Sequence, residues 1–80
     1  MTLRNFLKMH QDGVACVSIS QLPYNFEKHS YAKEYFEEGS QEYITSSKIF
    51  KEIARKQVDH FCVIGGGIYR VELRIFLKEE

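Results

Sequence analysis

The chain has no tryptophan, one proline, two cysteines and no surplus of charge: eleven basic residues are cancelled by eleven acidic ones. Each scarcity removes a class of protein. Two cysteines, Cys16 and Cys62, sit far apart in apolar runs and cannot supply the framework of a disulfide-stapled scaffold, so both read as buried free thiols. A balanced charge removes the broad positive field by which dedicated nucleic-acid binders are recognised. No segment approaches the ~20 apolar residues that a membrane-spanning helix needs, and the opening MTLRNFLKMHQDG carries no long apolar run. The expectation is a cytoplasmic protein with no membrane contact.

What remains is a chain of 80 residues with 44% hydrophobic residues, too apolar to stay disordered and long enough for one domain, residues 1–80. A domain of this size buries only about 60% of the surface its unfolded chain exposes. Self-association is therefore a natural supplement to its core.

The most clearly patterned stretch runs from Gln57 to Phe76, two apolar-rich segments around Gly65-Gly66-Gly67. Tyr69, Val71, Leu73, Ile75 and Leu77 alternate with Arg70, Glu72 and Arg74, the period of a strand with one buried face. A β-hairpin closed by a three-residue glycine loop then sets Ile64 opposite Ile68, Val63 opposite Tyr69 and Phe61 opposite Val71. A two-residue loop would turn Phe61 toward the polar side. In the three-residue register His60 lies across from Glu72. The second face carries Val58, His60, Cys62, Arg70, Glu72 and Arg74.

Upstream, Thr2 caps a short helix with Leu3, Phe6, Leu7 and His10 along one side, stopped by Asp12-Gly13. Val14–Ser20 reads as a strand, and Gln21–Lys28, with Pro23, as a turn or irregular connection. Ser30 is a cap for a helix over Tyr31–Glu38, with Tyr31 and Tyr35 on its apolar side and Gly39 as its stop. Thr45-Ser46-Ser47 starts a helix over Lys48–Lys56 that buries Ile49, Phe50, Ile53 and Ala54. The predicted fold is α+β, in the order α-β-α-α-β-β. It has an antiparallel three-stranded sheet, helices packed on one face and the Phe61/Val63/Tyr69/Val71/Leu73 surface beneath them. The other sheet face is left to water.

Candidate chemistry is sparse. His60 next to Cys62 and opposite Glu72 has the parts of a nucleophile, a base and an orienting acid, and a small enzyme using His60 and Glu72 is one reading. However, side chains two apart on one strand face stand about 7 Å apart at the backbone, and a solvated cross-strand pair explains the same residues. The triple glycine precedes a strand and lacks the lysine of a phosphate loop. His10, His29, His60, Cys16 and Cys62 have no zinc-binding spacing, so no metal or other cofactor is expected.

Lys48, Lys51, Arg55 and Lys56 form a basic surface, and residues 48–80 hold seven basic against five acidic side chains. A weak nucleic-acid-binding regulator using this helix is a second alternative, with a solvated helix face as the plainer account. Tyr24, Tyr31, Tyr35 and Tyr43 lie among glutamates. They form either an acidic aromatic contact surface or the completion of a small core, and the acidic run Glu34–Glu42 also has the charge to mimic a nucleic acid.

The opening TLRNFLKMH and the ending KEIARKQVDHFCVIGGGIYRVEL resemble the layout of small uncharacterised proteins of Gram-positive gut bacteria and their mobile elements. The resemblance covers about half the chain and carries no catalytic residues. It implies an accessory or inhibitor protein rather than a metabolic enzyme. The leading expectation is a non-enzymatic interaction module of phage or mobile-element descent. Its partner would be another protein or a second copy as a homodimer, with His60, Arg70, Glu72, Arg74, Tyr31 and Tyr35 as the contact residues.

Overall fold

The computed structural model describes residues 1–9, 16–66 and 69–79, and at residues 66, 69 and 70 the backbone alone. Thr2 opens the first helix as expected: its Oγ1 accepts a hydrogen bond from the Asn5 amide at 3.2 Å, satisfying one of the donors that a helix start leaves free. This helix, α1 (Leu3–Met9), buries Leu3 and Leu7. The chain continues through β1 (Cys16–Asn25), β2 (Ser30–Gly39), α2 (Gln41–Ser46), α3 (Lys48–Ile53), β3 (Val58–Gly66) and β4 (Tyr69–Leu77). The predicted positions His10, Asp12-Gly13, Val14, Ala15 and Ile68 lie outside the described residues.

The fold is α+β, but the sheet differs from the expected antiparallel three strands. It has four, in the order β2-β1-β4-β3, and it is mixed: β1 pairs parallel with β4 at the centre, and an antiparallel partner flanks each of them. The added strand is β2, where the sequence pattern predicts a helix over Tyr31–Glu38. Two local features favour the strand. Asn25 Oδ1 accepts from the amides of Glu27 and Lys28 at 2.9 and 3.0 Å, a side-chain-capped turn. His29 adopts a positive φ of 53°, so the chain reverses over four residues and Asn25 pairs with Ser30. The tyrosines and phenylalanine of SYAKEYFEEG then suit a pleated surface better than a helix.

Pro23, expected in an irregular connection, lies inside β1 and follows a cis peptide bond. The ladder to β4 ends at Gln21 opposite Leu77, and the ladder to β2 shifts between Gln21 and Tyr24. Pro23 therefore occupies a place where no backbone donor is required of it.

The helical segment also divides. Ser40 and Ser47 each accept from the amide three residues on, Tyr43 and Phe50, both at 3.1 Å, and Ser47 is itself extended at φ −80° and ψ 156°. Ser47 is thus the predicted helix start. The helix it opens ends at Ile53 rather than Lys56, and Gln41–Ser46 forms a helix of its own. Phe50, Ile53 and Ala54 are buried as expected, whereas Ile49 is 42% exposed.

Leu3 and Leu7 of α1, Ile44 of α2 and Phe50 and Ile53 of α3 meet Val17, Ile19, Leu73, Ile75 and Leu77 in one apolar cluster. The helices therefore cover one sheet face. They are tied to one end of it: the Leu3 amide donates to Lys56 O at 2.8 Å, Arg4 to Ala54 O at 3.0 Å and Val58 to Met1 O at 2.8 Å. The buried core centres on the C-terminal half of β4 and includes neither Phe61 nor Val63 of β3 at the sheet edge, which overturns their expected placement beneath the helices.

Candidate interaction surface

The hairpin of β3 and β4 sets the geometry of the surface, and its register differs from the expected one by four positions. Val63 pairs with Leu73, Cys62 with Arg74, Phe61 with Ile75 and His60 with Phe76, while Ile64 pairs with Glu72 and Gly66 with Tyr69. A bulge between Ile64 and Gly66 makes this possible. Gly65 adopts φ 100°, a conformation costly for any residue with a Cβ. One extra residue on β3 restores the alternation that a shorter loop would otherwise invert. Phe61 and Val63 consequently keep the same side as Ile75 and Leu73, as the sequence pattern demands, but each meets a partner four positions further along β4.

Their strand's place at the edge of the sheet decides their exposure. Leu73 and Ile75 are fully buried, while Phe61 and Val63 directly opposite are 52% and 56% exposed. Phe61 meets Phe6 of α1, with ring centroids 5.0 Å apart. On the other face Ile64 is 43% exposed. Because β1 chose β4 as its neighbour, β3 is an edge strand: its Val58 amide donates to Met1 O, and no strand among the described residues pairs along the rest of its outer side. Three exposed apolar side chains thus fall within four residues of one sheet edge.

The expected grouping of His60, Cys62 and Glu72 does not form. His60 lies across from Phe76, not Glu72, and stacks on its ring at 4.5 Å and 19°. Its acid is the adjacent Asp59, with Nδ1 and Oδ2 2.6 Å apart. Glu72 instead accepts a hydrogen bond from Arg74 Nε at 2.8 Å. That hydrogen bond is the chief reason the Arg74 guanidinium has a pKa above its ordinary value; slight burial opposes the shift and charge attraction to Glu72 adds to it. Cys62 is a partly exposed free thiol opposite Arg74, and Cys16 a buried one.

The uncovered face does unite some of the predicted contact residues. Tyr31 reaches it from β2, its ring 5.3 Å from Phe76 and 4.9 Å from Tyr24. Tyr31, Glu72, Arg74 and Phe76 line a concavity of about 240 Å³ together with Ser18 and Ser20. Tyr35 is not part of it: its ring packs against the core cluster and carries the Lys33 ammonium 5.0 Å from its centre. The Arg70 side chain lies outside the described residues.

Phe61 and Val63, assigned to the core from sequence, belong to the surface. Their exposure depends on which hairpin strand β1 selects, and no residue of β3 announces that choice. No helix among the described residues is long and apolar enough to cross a membrane. No protein-family model matches the chain, and neither a curated protein nor a solved structure matches it.

Proposed function

We propose that this protein is a non-enzymatic interaction module, an accessory or inhibitor protein of the kind its terminal segments resemble, and that it binds through the β3 edge and the adjoining open sheet face. The observation that carries the reading is the exposure of Phe61, Val63 and Ile64 on an edge strand. Unpaired backbone donors and acceptors beside apolar side chains are the two components of strand addition: the ladder supplies affinity and the side chains supply specificity. The separate engagements of His60 with Asp59 and of Glu72 with Arg74 support binding over catalysis, since neither acid is aimed at a nucleophile.

The test compares the parent with a Val63→Lys variant as bait for proteins of the source cell. A lysine at a half-exposed edge position leaves the core untouched and opposes strand pairing by charge. A chain held by the parent and lost by the variant supports the reading. Identical captures on both baits sink it.

A further inference from the structure

Resting on that reading, we propose that the occupant of the β3 edge is a second copy of this chain, paired antiparallel through β3 about a two-fold axis at Cys62. The two bulges of the strand set the register. The β3–β4 ladder shifts between Val58 and His60 and again between Ile64 and Gly66, leaving His60–Ile64 as the regular segment. Bulges kink a strand and end its pairing, so only this segment is straight enough to add another strand. Its middle residue is Cys62.

Antiparallel pairing about Cys62 is self-complementary. Phe61 falls across from Val63 of the second copy, and Val63 across from its Phe61, so the two most exposed apolar side chains of the segment cover each other on one face. His60 falls across from Ile64 on the other face. Shifting the axis by one residue to Phe61 would place Asp59 opposite Val63 and leave Ile64 opposite Val58 at a bulge.

Charge points the same way. Asp59 is the only carboxylate of β3, lies at one bulge and is already engaged by His60. In this register the two copies of Asp59 stand at opposite ends of the paired segment. The net charge of the whole chain is zero, so two copies meet no overall repulsion. The result is a continuous sheet of eight strands with β2 at both outer edges.

The experiment combines sedimentation with a short bismaleimide that joins thiols. Facing residues of an antiparallel pair have Cα atoms about 4.5–5.5 Å apart, within reach of the reagent. The parent and a Cys16→Ser variant are expected to sediment as dimers and to be linked covalently. Cys62→Ser is expected to sediment as a dimer but not to be linked. Val63→Lys is expected to weaken dimerisation at least about tenfold, as removal of a central contact does, with an unchanged circular dichroism spectrum. Glu37→Lys on β2 is expected to leave it unchanged. Ile64→Lys replaces Val63→Lys should the latter fail to fold.

Dimers that Cys62 does not link, or that survive both lysine variants, overturn the proposal. A parent that stays monomeric also overturns it. If that monomer still captures another protein in a Val63-dependent way, the interaction reading stands alone; without such capture both fall.

Discussion

The sheet ends in β2 on one side and in β3 on the other, and the two strands meet the same hazard by different means. In β2 the ladder to β1 breaks register three times between Val17 and Tyr24, and its sequence, SYAKEYFEEG, places Lys33, Glu34, Glu37 and Glu38 along the edge. Kinks and charges are how natural edge strands discourage another chain from adding to them. β3 has a regular five-residue segment and one carboxylate outside it. One edge is protected twice over and the other hardly at all, and this contrast is what the proposed use of β3 rests on. Under the proposed pairing only one edge is adhesive, so association would close at two copies instead of propagating.

The largest effect that tests this contrast compares one aromatic from each edge strand. Phe36 of β2 is 8% exposed and belongs to the core cluster, whereas Phe61 of β3 is half exposed and packs its ring on Phe6. Truncating a buried phenylalanine costs about 3–5 kcal/mol through lost transfer energy and the cavity it leaves. Phe36→Ala is therefore expected to lower stability by that amount in urea denaturation. Phe61→Ala, already half in water, is expected to cost about 1 kcal/mol, measured on dilute protein so that association does not contribute. Equal losses would mean that Phe61 serves the core after all.

Next in size is Gly65. Its φ of 100° is what allows the bulge, and the bulge keeps Phe61 and Val63 on the helix-covered side. Gly65→Ala is expected to destabilise by about 1–3 kcal/mol through backbone strain. It is also expected to blur the register, visible as broadened amide resonances from Cys62 to Gly66. A sharp spectrum with parent stability would show that the hairpin can close another way and that the edge is not held in one form.

These residues also show why part of the molecule could be read from the sequence and part could not. The caps at Thr2 and Ser47 and the alternation of Leu73, Ile75 and Leu77 are local chemistry, and each appears where the sequence places it. β2 was hidden by a coincidence of local signals. Ser30 as a cap, Tyr31 and Tyr35 four apart and Gly39 as a stop imitate a helix, and only the turn built on Asn25 argues otherwise. The parallel pairing of β1 with β4 is non-local, joining residues more than fifty positions apart, and no short-range pattern encodes it. That one pairing left β3 at the edge. The hairpin register failed for a narrower reason: three consecutive glycines permit several closures, and the bulge at Gly65 allowed one that preserves the polar-apolar alternation while moving every pair. The open face was legible as a polar surface, but its pairs were exchanged, with Arg74 taking Glu72 and Asp59 taking His60.

The smallest expected effect separates the open face from the edge beside it. Arg74 and Glu72 form the hydrogen-bonded ion pair at the centre of that face, but the arginine side chain is 49% exposed, so solvent screens most of the attraction. The arginine pKa is raised on folding, and a raised pKa contributes stability that is complete below the unfolded value and lost only as pH climbs through the folded one. Arginine's ordinary pKa already lies beyond the pH range in which the protein can be handled, and folding raises it further, so this contribution stays constant across that range. Arg74→Gln is accordingly expected to cost no more than about 1 kcal/mol, measured by urea denaturation, and to leave dimerisation by sedimentation unchanged at low and high salt. The pairing assigned to β3 depends on backbone and apolar contact, and Arg74 faces Cys62 from inside the sheet rather than across its edge. Loss of the dimer on this substitution, or a steep dependence of the parent dimer on salt, would move the contact from the strand edge to the charged face and make the two edges of the sheet alike in consequence.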